Sequence, residues 1–71
     1  MARADGRLSL PTIRGAVIIF RMWVEGWTPS TQEVADYLDM EHSGAFRLME
    51  RLSGEFSLYQ DGENRWRRAG H

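Results

Sequence analysis

The sequence predicts a mainly α domain, three helices closed by a small β-hairpin, and three observations lead to it. Apolar residues recur at helical spacing from Ile13 to Val24 and again from Ala45 to Leu52. Between these runs Ser30 and Glu33 stand three residues apart, the order of a reciprocal helix cap. After Gly54 the apolar period drops from helical to two, as in a half-buried strand.

The elements follow in chain order. Residues 1–10 lack periodicity and read as a flexible arm ahead of a domain spanning 11–71. Pro11 and Thr12 open the first helix and Gly26 closes it. Ile13, Ala16, Val17, Phe20 and Val24 share one face, which is taken as the inward one, with Trp23 and Trp27 beside it. Ile18, Ile19 and Met22 then lie outward and need cover, so they are the expected dimerisation surface. Arg21 and Glu25 have the spacing of a surface ion pair.

Pro29 and Ser30 begin a short second helix that buries Val34, Ala35 and Leu38. After a turn at Asp39–Met40–Glu41, a third helix turns Ala45, Leu48, Met49 and Leu52 inward, with Gly54 as its expected stop. Phe56, Leu58 and Trp66 form the predicted inner face of the hairpin, and Asp61–Asn64 has turn chemistry.

Composition sets the limits. A chain of 71 residues makes one domain with a small core, and without cysteine no disulfide or thiolate metal site reinforces it. No apolar run has the length of a membrane span, and the first ten residues lack the apolar centre of a secretory signal, so a cytoplasmic protein is expected. His42 and His71 are the only histidines, and no nucleophile triad, phosphate loop or metal-ligand cluster is visible. An enzyme is therefore not expected, and neither is a cofactor.

All nine basic residues are arginine, and the net charge of −1 is a weak footprint for nucleic acid. The distribution is uneven: residues 1–29 carry +2, 30–41 carry −4 and 42–71 carry +1.

The run from Gln32 to Leu48 carries a further pattern. Ala35 is small where two helices would cross, Asp39 stands at the turn, and Leu38, Met40 and Leu48 fill the angle between the helices. With a helix before it and a hairpin after it, this run resembles the winged helix-turn-helix domain of bacterial and phage transcription regulators of the MarR and IclR types. The resemblance covers about residues 12–68 and departs at Asp39, where glycine is usual; aspartate tolerates the left-handed conformation that the turn requires.

The resemblance implies a small sequence-specific regulator that binds double-stranded DNA, as a homodimer, with the third helix in the major groove and the hairpin as a wing on the backbone. Carried over by position, His42, Ser43, Gly44, Arg47 and Arg51 would face the groove, with Arg47 reading a guanine edge. Ser30, Thr31 and Gln32 would donate to phosphate, and Arg65 and Arg67 would reach it from the outer face of the wing. Arg14, Arg3 and Arg7 could add backbone contacts.

Other readings stay open. Arg47 and Arg51 could pair with Glu50 or Glu55, and Arg65, Arg67 and Arg68 could be solvated charges that guard an edge strand. Phe46 is expected to be partly buried against the wing. The acids at 33, 36, 39 and 41 oppose a phosphate backbone, and they favour the alternative function, a module of the same shape that docks on a protein partner.

Overall fold

The computed structural model describes residues 10–69, with side chains from residue 13 onward, and the arm expected at residues 1–10 lies outside this range except for Leu10. Three helices, α1 (Leu10–Glu25), α2 (Thr31–Leu38) and α3 (His42–Phe56), are followed by strands β1 (Leu58–Gln60) and β2 (Trp66–Arg68). The strands pair antiparallel, with Tyr59 opposite Arg67. The fold is mainly α with a small β-hairpin.

The cap of α2 forms as the spacing predicts. The Glu33 N–H donates to Ser30 Oγ at 3.1 Å, and the Ser30 N–H donates to Glu33 Oε1 at 3.0 Å. Two of the free donors that begin any helix are thus satisfied locally. At its other end Asp39 takes the left-handed conformation, φ 55°. The Met40 N–H donates back to the Ala35 carbonyl at 2.9 Å, and the Asp39 N–H to that of Asp36 at 3.3 Å. This double closure ends α2 abruptly and sends the chain into α3 within three residues.

Ala35 and Ala45 are buried in the angle between α2 and α3, where Leu48 is buried and Leu38 and Met40 are half-buried. Val34, Met49, Leu52, Leu58 and Trp66, with Ile18 and Met22 of α1, complete the core.

The face of α1 is a correction. Ile18 is 0% and Met22 2% exposed, and Ile19 packs half-buried against the core, so the predicted dimerisation surface is interior. Phe20 at 61% and Val24 at 65% face solvent, as do Ile13, Ala16 and Val17. Both stripes are equally apolar, so periodicity could not choose between them. Packing decides. Gly15 shares a face with Ile18 and Met22, and a methyl group there would sit 2.9 Å from Leu52 Cδ2 of α3. A side chain there would require Leu52 to shift, so the glycine eases the approach of α1 to α3.

Two further expectations shift. Gly54 does not end α3, which runs to Phe56 before Ser57 turns left-handed at φ 57°. Phe56 therefore belongs to the last helical turn rather than to the hairpin, is exposed, and meets Trp23 edge-on at 6.1 Å. Glycine in a helix interior costs only about 1 kcal/mol against alanine, which packing readily offsets.

Candidate nucleic-acid interface

The hairpin is fastened to the start of α2 by four hydrogen bonds. The Trp66 N–H donates to the Pro29 carbonyl at 2.8 Å, and the Trp66 indole N–H to Thr31 Oγ1 at 2.9 Å. Arg65 Nη1 donates to the Thr28 carbonyl at 2.7 Å and to Glu33 Oε1 at 3.0 Å. Phe46 tilts against the Trp66 ring at 6.1 Å, partly buried as expected. One aromatic residue and one arginine thus set the hairpin beside the N-terminal ends of α2 and α3.

This fastening changes the roles of two expected phosphate contacts. Arg65 is half-buried and turns back to α2 instead of projecting from the outer face of the hairpin. Thr31 is 5% exposed and is engaged by Trp66. Both hold the hairpin against α2, and Thr31 also lines the cleft between them. Ser30 is occupied by the cap, and Gln32 Nε2 donates to Asp36 Oδ1 at 2.9 Å.

A cleft remains where the three parts meet, lined by Ser30, Thr31, Gln32, His42, Phe46, Gln60 and Asn64. Gln60 and Asn64 were not expected there. Gln60 comes from β1 and Asn64, at a positive φ of 64°, from the hairpin tip, and both share the cleft with His42.

The hairpin tip is organised by Asp61. Its Oδ1 accepts from the N–H groups of Glu63 at 2.8 Å and Arg65 at 3.0 Å, and its Oδ2 accepts from Arg67 Nε. The Arg67 bond, then those two N–H groups, lower the Asp61 carboxyl pKa to about 2. A carboxylate with a pKa lowered by folding stabilises the fold above its unfolded value and loses that contribution as pH falls through the folded one. The tip is therefore expected to loosen between about pH 4 and pH 2, read as Asn64 and Arg65 amide shifts that track the Asp61 carboxyl in an NMR titration. Asp61→Asn should abolish this transition while leaving the Leu52 and Met49 signals in place.

The described arginines fall into two sets. Arg21 pairs with Glu25 at 2.9 Å, Arg65 with Glu33 at 3.0 Å and Arg67 with Asp61, while the Arg68 guanidinium lies over the Trp23 ring at 4.7 Å. No hydrogen bond or ion pair ties Arg14, Arg47 or Arg51 to another described residue, so the alternative pairing with Glu50 or Glu55 is not made. These three line one groove, whose floor is Met40, Gly44 and Leu48. Arg47 and Arg51 are exposed one helical turn apart on α3, and Arg14 comes from the start of α1. Ser43 is exposed beside them.

The acid block is partly neutralised by the same arrangement. The Ser30 N–H, followed by Arg65, holds the Glu33 carboxyl below its usual range. Asp36, Asp39 and Glu41 remain exposed. No helix among the described residues is long and apolar enough to cross a membrane, and no group of three or more metal-ligating side chains occurs among them. No protein family, curated protein or solved structure matches the chain.

Proposed function

We propose that this is a small DNA-binding regulator of winged helix-turn-helix type, with α3 entering the major groove and the hairpin serving as the wing. The observation that carries this reading is the sorting of the arginines. Among the described residues, the arginines that hold the fold together are paired, and those not tied to another described residue gather on α3 and the adjacent start of α1. Unpaired guanidinium groups on one face give a locally positive surface even where net charge is slightly negative.

In this reading Arg47 reads a base edge, while Arg14 and Arg51 neutralise phosphates. His42, Gln60 and Asn64 supply polar contacts where the wing meets the backbone. Phosphate contacts set position and register, and base contacts supply specificity. Arg65 and Thr31 position the wing. The remaining acids on α2 are screened over roughly 8 Å at physiological salt.

The test is binding of a fluorescent random duplex across a salt series. Two or three phosphate contacts per protomer predict that log K falls against log salt with a slope of about −2 to −3. No binding at low salt would remove DNA as the partner. The exposed acids Asp36, Asp39 and Glu41 would then favour the alternative reading, docking on a basic protein surface.

A further inference from the structure

Phosphates give Arg14 and Arg51 a role in the reading above, and a guanine edge gives one to Arg47. Neither explains the floor of the groove that these arginines line. That floor is Met40, Gly44 and Leu48, and none of the three has a side-chain donor to offer an oxygen. Among the groups that base pairs present in the major groove, the one that suits an apolar floor is the C5 methyl of thymine. We infer that this floor takes the methyl group of a thymine beside the guanine that Arg47 reads. The inference rests on the DNA reading and adds to it a second determinant of sequence.

Gly44 is the residue that points to this contact. It lies in the first turn of α3, where glycine is a poor helix former. Its φ is not positive, since Gly26 alone among the described glycines has that conformation, so the backbone does not call for glycine. Packing does not call for it either. A Cβ on Gly44 would meet only Met40 Cε, at 3.1 Å, which is the end of a flexible side chain. Gly15 differs, because its missing side chain makes room for the buried Leu52. Gly44 and Met40 both line the groove, so the missing side chain leaves its space within the groove itself. A glycine that the fold does not require is suited to the close approach of a ligand.

The spacing fits a neighbouring base. Gly44 and Arg47 are three residues apart on α3, which puts them side by side on the helix surface at about 5–6 Å. Successive bases on one strand rise by about 3.4 Å. A guanine held by the Arg47 fork and a methyl group resting on Gly44 therefore belong to adjacent base pairs. Met40, unbranched and polarizable, adapts to the edge of the methyl, and the apolar stems of Arg47 and Arg51 cover its sides.

A uridine scan tests this on a duplex enriched from a random pool by the wild-type chain, because uracil differs from thymine only in lacking the methyl group. Exchanging the thymine beside the guanine should weaken wild-type binding about fourfold, the worth of one buried carbon, and exchanges elsewhere should not. Gly44→Ala fills the notch with a methyl of its own. It should bind the thymine and uridine duplexes equally, with the helix content of the wild type by circular dichroism. Tight wild-type binding that no uridine alters would overturn the inference and leave the DNA reading standing. A Gly44→Ala variant that kept the whole fourfold preference would also overturn it. Failure of the wild type to bind any duplex at low salt would remove DNA as the partner, and this inference with it.

Discussion

Trp66→Ala is expected to remove a large part of the chain's stability. Truncating a buried tryptophan costs about 3–5 kcal/mol, and a domain of this length has a total stability of roughly 4–10 kcal/mol. The indole is 4% exposed and sits where three parts of the fold meet. It closes the core under β2, supports Phe46 of α3 and donates to Thr31 at the start of α2. Its loss would also strand the buried Thr31 hydroxyl, since a polar group without its partner carries a desolvation cost of its own. Trp66→Phe separates the two effects. It keeps most of the packing and removes only the N–H donor, for a cost of about 1 kcal/mol. Urea denaturation followed by circular dichroism distinguishes them. A variant Trp66→Ala that melted like the wild type would show that the hairpin is not fastened as described.

Arg47→Ala should weaken binding to a selected duplex by roughly five- to 150-fold, the equivalent of the 1–3 kcal/mol carried by a good bidentate base contact. Its thermal stability should stay within about 0.5 kcal/mol of the wild type, because the side chain is exposed and no described residue bonds to it. Arg47→Lys gives the sharper result. An ammonium keeps the charge that attracts phosphate but lacks the planar fork that meets two acceptors on guanine. Affinity for random duplex should survive this change while discrimination between duplexes falls. Equal loss on both would place Arg47 on the backbone rather than on a base. Arg21→Ala serves as a control, since that arginine is spent on Glu25, Trp27 and Tyr37 and lies away from α3.

Much of the architecture is legible in local spacing. The cap at Ser30 and Glu33, the left-handed turn at Asp39 and the inward stripe Ala45, Leu48, Met49 and Leu52 depend on neighbours a few residues apart, and each forms as read. The buried side of α1 is not legible, because both its sides carry apolar stripes, and the packing that chooses between them, Gly15 against Leu52 included, lies on another helix. The end of α3 was misread for a similar reason: an interior glycine and a terminal one look alike until packing is known.

The candidate site divides along the same line. His42, Ser43, Arg47 and Arg51 lie on α3, so helical periodicity places them on the exposed side correctly. Arg65 does not follow its strand period outward, because its partners at Thr28 and Glu33 lie more than thirty residues earlier in the chain. Gln60 and Asn64 join the cleft from the hairpin, and only the folded register reveals them.

The most direct measurement is an amide NMR titration of the labelled protein with a selected duplex at low salt. The account predicts that the largest shifts fall on His42, Ser43, Arg47, Arg51 and Asn64, with Val17, Phe20 and Val24 unmoved. Shifts confined to α1 or to Asp36 and Asp39, or none at all, would contradict it.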